Sequence, residues 1–87
     1  MNIQVEKLKK DFFGFPVFDK MIKLNIDQIK EVYIQFGMDS RPRICFVDGN
    51  NMWVGGSFND IVEQIKNCGV EGDYQETGSY KLFTIRR

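Results

Sequence analysis

Residues 30–67 contain the clearest strand and helix patterns of the chain, and their sequence is KEVYIQFGMDSRPRICFVDGNNMWVGGSFNDIVEQIKN. In residues 30–36, apolar and polar side chains alternate with the two-residue period of a strand that has one buried face. Residues 43–47 contain four consecutive apolar side chains, a pattern that favours a central strand covered on both faces. A loop over residues 37–42 joins the two runs, and an Asp-Gly-Asn-Asn turn leads to a third run at residues 52–54. We therefore expect a meander of three strands.

An amphipathic helix is predicted over residues 57–67. Its apolar residues recur at three- and four-residue spacing and share one face, so that this face must be buried. They are Phe58, Ile61, Val62, Ile65 and Cys68. Ser57 stands where a hydroxyl accepts a hydrogen bond from the first turn, and Gly69 stands where a left-handed residue commonly ends a helix. The apolar period, the start signal and the stop signal therefore agree.

The segments on either side of this unit are expected to cover it. Four apolar residues near the N-terminus fall at helical spacing, which predicts an amphipathic helix of about three turns. They are Met1, Val5, Leu8 and Phe12. Residues 20–25 and 80–85 alternate like strands, and Asn25 or Asp27 can cap one helical turn between the first of these strands and the meander. Residues 73–76 are either part of a loop or a short edge strand.

Together these elements predict one compact α+β domain over residues 1–87. It would contain the N-terminal helix, a mainly antiparallel sheet of four to six strands, and the second amphipathic helix packed on one face of that sheet. The composition, with 43% hydrophobic and 28% charged residues, is that of a globular protein and excludes a disordered chain.

The charge balance and the lack of histidine narrow the function. Twelve basic and twelve acidic residues give no net charge and a pI of about 6.2, which disfavours DNA binding through phosphate contacts but leaves it open for a local basic patch. The absence of histidine removes the commonest general base and the commonest transition-metal ligand. No residue pattern marks a catalytic pair or an activated nucleophile. We therefore expect a protein that is not an enzyme and uses no metal and no cofactor.

The N-terminal residues and the two cysteines indicate the cellular compartment of the protein. Residues 1–10 mix charged and apolar side chains unlike a signal peptide, and no run approaches transmembrane length. The sequence thus predicts a cytoplasmic protein without a membrane partner. Cys45 and Cys68 are expected to be free buried thiols, with a bridge between them as the alternative.

Two groups of residues are candidates for binding a partner. Trp53 precedes two glycines on a short edge strand, where it is either part of the core or an exposed binding anchor. The predicted partner-binding set is Trp53, Arg41, Arg43, Tyr74, Arg86 and Arg87. Phe13, Phe15 and Phe18 form an unusually apolar connection, which is expected to tuck onto the core, with an exposed partner-binding patch as the alternative.

A hydrophobic pattern over residues 22–65 combines two strands, a turn and the helix. The residues that carry it are Ile26, Asp27, Ile29, Tyr33, Ile34, Ile44, Phe46, Asp48, Gly49, Val54, Gly56, Ser57, Phe58, Ile61 and Ile65. With this pattern the chain resembles LytTR-type DNA-binding domains of bacterial response regulators and small flagellar-operon proteins of similar strand pattern. The resemblance implies a sequence-specific DNA-binding regulator. LytTR-type domains carry a basic His-Arg-Ser segment after the helix, whereas residues 69–79 here contain neither histidine nor arginine.

The leading hypothesis is a small intracellular accessory protein that binds and modulates a protein partner, of the type encoded by phages or mobile elements. The alternatives are a LytTR-like DNA-binding regulator and a small-ligand-binding protein with a pocket between sheet and helix. A homodimer formed through the edge strand at residues 52–54 also remains open.

Overall fold

The computed structural model describes residues 1–37 and 40–87, so the predicted loop over residues 37–42 lies partly outside the described residues. The elements in chain order are β1 (Asn2–Lys10), β2 (Pro16–Asn25), a 3-10 turn (Ile26–Gln28), β3 (Ile29–Gln35), β4 (Arg43–Phe46), β5 (Asn51–Trp53), α1 (Phe58–Asn67), β6 (Gly72–Glu76) and β7 (Tyr80–Ile85). Strands therefore account for most of the described chain.

The strands form two antiparallel sheets. The larger has five strands in the order β5-β4-β3-β7-β6, and the smaller is the β1–β2 hairpin. Helix α1 leaves the sheet at the β5 edge and returns at the β6 edge, so it crosses one face of the sheet. The apolar face of α1 packs there against buried strand residues. These are Val32, Ile44 and Phe83, and their partners on the helix are Phe58, Ile61, Val62 and Ile65.

The meander and its helix form where the sequence predicts them. The side chain of Ser57 accepts a hydrogen bond from the Asp60 N–H at 3.1 Å and caps α1. Gly69 follows the helix with a φ of 85°, a conformation that glycine adopts without strain. The prediction of a central β4 covered on both faces is wrong, because β3 is the central strand and β4 lies next to the edge. Cys45 of β4 is only half-buried on the face opposite α1.

The predicted N-terminal helix is wrong, and with it the α+β class built on two helices and one sheet. Residues 2–10 form β1, and the described residues are mostly antiparallel sheet with one short α-helix. Ile3 and Val5 alternate with polar neighbours and point into the core, as β-branched residues do on a half-buried strand. The helical spacing was coincidental, since its end members Met1 and Phe12 are both exposed.

The β1–β2 hairpin, which we call the arm, is held to the rest of the chain along the outer edge of β1. The Gln4 N–H donates to the Gln64 side-chain oxygen and the Gln64 amide donates to the Gln4 carbonyl, both at 3.1 Å. The Gly55 N–H donates to the Glu6 carbonyl at 2.8 Å. A single strand-like bridge between Lys7 and Val54 completes this attachment. The arm therefore continues the large sheet beyond β5 through a short region of contact.

Gly72 tests the packing of β6 on the core. A Cβ at this position would overlap the ring of the fully buried Phe83, whereas one at Gly78 would meet open space. We expect Gly72→Ala to lower the free energy of unfolding by about 1–3 kcal/mol because the ring must shift. Urea denaturation measures this difference, with Gly78→Ala as the matched control expected to change stability by less than about 0.5 kcal/mol. Equal stabilities of the two variants would contradict the packing described here.

Candidate functional site

The turn of the arm projects four phenylalanines into solvent. We call Phe12, Phe13, Phe15 and Phe18 the aromatic tip, and their exposed fractions are 96%, 80%, 63% and 57%. The rings of Phe12 and Phe13 contact each other edge to face, with centroids 5.4 Å apart. The expectation that Phe13, Phe15 and Phe18 tuck onto the core is therefore wrong, and the alternative of an exposed aromatic patch is what the structure shows.

A defined turn holds the aromatic tip outward. The Asp11 carboxylate accepts hydrogen bonds from the N–H groups of Phe13 and Phe15, both at 2.9 Å. The Asp11 N–H donates to the Phe15 carbonyl at 2.8 Å, and the Gly14 N–H donates to the Asp11 carbonyl at 3.0 Å. Gly14 has a φ of 85°, which favours glycine. These hydrogen bonds fix the conformation of the turn, and in this conformation its phenylalanine rings are exposed.

The arm is positively charged although the chain is neutral. Residues 2–25, the two strands of the arm and their turn, contain five lysines, one glutamate and two aspartates, a net charge of +2. The remainder of the chain therefore carries −2. Lysines occupy both strands of the arm, and four of the five are exposed: Lys9, Lys10, Lys20 and Lys23. The arm thus carries an excess of positive charge, a segregation that the net charge of the chain conceals.

Trp53 lies beside the arm at the end of β5. It is half-buried, and with residues of the arm it lines a cleft of about 120 Å³. The lining residues are Leu8, Lys9, Lys10, Gly14, Pro16 and Trp53. Cleft and aromatic tip therefore share the same end of the arm.

The sheet face opposite α1, which we call the open face, carries an aromatic row that starts at Trp53. Arg43 pairs with Trp53 on one side and with Tyr33 on the other. Its guanidinium carbon lies 4.8 Å from the Trp53 ring centroid and 5.9 Å from that of Tyr33, within cation–π distance. The Nε of Arg43 is buried and has no hydrogen-bond partner among the described residues. The row therefore extends the surface of the arm across the open face.

The structure brings together two of the six predicted binding residues, Trp53 and Arg43, and places the others elsewhere. Tyr74 is exposed on the α1 side of the edge strand β6. Arg86 pairs with Asp73, and its hydrogen bond and charge lower the pKa of that carboxyl. Arg87 donates to main-chain carbonyl groups, among them that of Ile26 at 2.9 Å.

Arg41 is exposed and precedes the buried Pro42 ahead of β4. A partner-binding role for these six residues stays a prediction, but they do not form one continuous site. Sequence reasoning missed Phe12 because its spacing suited a helix. The available signal was the cluster of phenylalanines around Gly14 and Pro16, two residues that end helices.

Cys45 and Cys68 are both free and half-buried. Cys45 lies on the open face in β4, where burial and the neighbouring Glu31 raise the pKa of its thiol above its ordinary value. The Cys68 thiol lies 3.9 Å from the Asn2 carbonyl oxygen. Within residues 1–37 and 40–87, no group of three or more histidine, cysteine, aspartate or glutamate side chains could hold a metal ion.

Comparisons with known proteins were made at the level of families, curated sequences and solved structures. No family model, curated protein or solved structure matches this chain. In the part of the chain that the structure describes, no helix has the length and apolar character needed to cross a membrane.

Cys45 is expected to react slowly with iodoacetamide. Its raised pKa lowers the thiolate fraction at every pH below that value, and only the thiolate is nucleophilic. Alkylation followed by mass spectrometry from pH 7 to pH 10 should give a rate at pH 8 below that of the same chain unfolded in urea, with a rise at higher pH. Cys68→Ser isolates the signal of Cys45. A rate at pH 8 equal to that of the unfolded chain would contradict the burial of this thiol.

Proposed function

We propose that this protein is a small non-enzymatic accessory protein of the cytoplasm that docks on a protein partner through its aromatic tip. The observation that carries the proposal is the set of four exposed phenylalanines, three in the hydrogen-bonded turn at Asp11 and the fourth, Phe18, near the start of β2. Full burial of one such side chain contributes roughly 1.5–3 kcal/mol. A contiguous apolar patch rimmed by polar residues is the usual mark of an interaction surface.

The arrangement of the site has the anatomy of a protein interface. Aromatic residues occupy the centre, and Lys9, Lys10 and Lys20 lie around it. Tryptophan and arginine are enriched among the residues that dominate binding energy, and Trp53 and Arg43 stand next to the tip and on the open face. We infer that the partner contacts the tip first and the open face beside it.

Three other classes of partner suit the site less well. Duplex DNA would contact the lysines of the arm through its phosphates, but its stacked bases offer no faces on which the four phenylalanines could pack. A lipid surface would take the tip but would leave the flat aromatic row at Trp53 without a role. The cleft of about 120 Å³ is small beside the roughly 300–1,000 Å³ typical of small-molecule sites. The LytTR-like reading therefore remains the alternative proposal, with the arm as its basic patch.

Removing the two most exposed rings tests the proposal. We expect tagged wild-type protein to retain a discrete protein from a bacterial lysate after nuclease and a high-salt wash, and Phe12→Ser/Phe13→Ser to retain at least tenfold less. The loss follows from the apolar area that these rings would bury. Because both rings are exposed, we expect the free energy of unfolding of this variant to differ from that of wild type by less than about 0.5 kcal/mol. Urea denaturation measures this difference.

The matched control for this experiment is Phe36→Ser, which removes a phenylalanine that is 41% exposed outside the aromatic tip. We expect Phe36→Ser to retain as much of the captured protein as wild type does. If Phe12→Ser/Phe13→Ser also retained as much as wild type, the proposal would be wrong. Retention of nucleic acid alone, released by nuclease or salt, would replace it with the DNA-binding alternative.

Substitution of Trp53 and of Tyr74 tests which side of the sheet binds the partner. We expect Trp53→Ala to weaken binding of the captured protein by roughly 30-fold, the effect of losing an interface anchor. Tyr74→Ala is expected to leave affinity within about threefold, because Tyr74 lies on the opposite side of the sheet. Isothermal titration with the purified partner measures both changes. A larger effect for Tyr74 than for Trp53 would place the interface on the α1 side instead.

A further inference from the structure

The outer edge of β2 is the longest unpaired strand edge among the described residues. β2 spans ten residues, Pro16–Asn25, and pairs only with β1. The other edge strands, β5 and β6, have three and five residues. No main-chain hydrogen bond joins residues 17–24 to any segment of the described chain other than β1. Alternate N–H and C=O groups along β2 are therefore free to pair with another strand.

The outer edge of β1, on the opposite side of the arm, is hydrogen-bonded to the rest of the chain. The Gln64 amide satisfies both main-chain groups of Gln4, and the Gly55 N–H satisfies the Glu6 carbonyl. Among the residues described, the outer edge of β1 is thus bonded to the body over residues 4–7, while the outer edge of β2 is left open. An open edge next to the aromatic tip is a second feature of the arm that suits a binding surface.

The side chains along β2 indicate what kind of strand fits beside it. Val17, Phe18 and Met21 are apolar and exposed, and Lys20 and Lys23 are exposed between and beyond them. The carboxylate of β2 belongs to Asp19, the extra residue of the bulge between the Lys7–Lys20 and Leu8–Phe18 pairs. A neighbouring strand would therefore meet apolar groups and positive charge, and glutamate or aspartate combined with apolar residues complements both.

The same charges argue against a second copy of this chain as the occupant. Pairing β2 with β2 would bring together two arms that each carry a net charge of +2 over residues 2–25. Like charges placed opposite each other on paired strands are destabilising, and exposed lysines on an edge are a common device against self-association.

We propose that β2 accepts an extended acidic and apolar strand of the protein partner, which pairs with its main chain and adds a third strand to the arm. Strand addition supplies affinity through main-chain hydrogen bonds and specificity through alternate side chains. The strand runs on from Pro16 into the aromatic tip, so the partner's apolar residues meet Phe15 and Phe18. This inference rests on the proposed function, because it takes the partner to be a protein.

Three synthetic peptides added to the full chain test the inference. A decapeptide of alternating glutamate and valine is expected to bind and to slow hydrogen exchange at outward-facing amides of β2, as followed by NMR. The lysine–valine decapeptide is expected to bind at least tenfold more weakly because of charge. The glutamate–proline decapeptide is expected to give no protection, since proline has no N–H to donate.

A charge-reversed variant provides the matched control. Lys20→Glu/Lys23→Glu changes two exposed side chains and is expected to fold, as judged by circular dichroism, and to prefer the lysine–valine peptide over the glutamate–valine peptide. Protection that appears in β6 instead of β2, or no protection at all, would overturn strand addition. Protection of β2 in the absence of peptide that rises with protein concentration, together with a dimer in sedimentation, would assign the edge to a second copy and also overturn it.

The two proposals fail in distinguishable ways. If Phe12→Ser/Phe13→Ser loses the captured protein but the β2 amides exchange equally fast in the free chain and in that complex, docking at the tip stands and strand addition is wrong. If the tip variant keeps the captured protein, the proposed function itself is wrong, whatever the peptides do.

Discussion

The position of the arm depends on β1, which makes two sets of contacts. One edge of β1 pairs with β2, while its other edge bonds to Gln64 and Gly55 and its apolar side chains join the core under α1. Ile3, Val5 and Leu24 are buried in that core. An isolated two-stranded hairpin is marginally stable in water, so this attachment is what fixes the arm. Every functional inference drawn from the tip requires it.

The charge distribution gives the molecule two chemically different halves. The arm combines phenylalanine, lysine and an open strand edge, whereas the rest of the chain carries the excess of acid. At its C-terminal end, acidic Asp73 is paired with Arg86, and Arg87 is bonded to the main chain. Four exposed lysines, Lys9, Lys10, Lys20 and Lys23, lie on the arm that carries the aromatic tip. A neutral chain can in this way present a locally positive and apolar binding surface.

Much of the fold follows from short-range patterns. The alternation in residues 30–36, the cap at Ser57 and the glycine at position 69 each specify a local conformation, and β3 and α1 form there. The prediction of an N-terminal helix was wrong because the helical spacing of Met1, Val5, Leu8 and Phe12 is coincidental. The structure follows the two-residue alternation of Ile3 and Val5, which is that of a strand. Pairing with β2 and packing under α1 decide between these periods, and the contacts with α1 are long-range.

The functional surface was less accessible to sequence reasoning than the fold. Phenylalanine is most often buried, so the cluster of Phe13, Phe15 and Phe18 was expected to face the core. In the structure the Asp11 carboxylate fixes the conformation of the turn, and in this conformation the rings are exposed. The proximity of Trp53 to the arm depends on the single Lys7–Val54 bridge, which no sequence spacing indicates.

Photo-crosslinking from position 12 identifies the molecule that contacts the aromatic tip. Phe12 is replaced by p-benzoylphenylalanine in the full chain, with the same replacement of Phe36 as the comparison, and both are irradiated in a bacterial lysate. The account predicts a covalent adduct with one discrete protein from position 12 and not from position 36. Adducts with nucleic acid or lipid alone, or the same protein adduct from both positions, would contradict it.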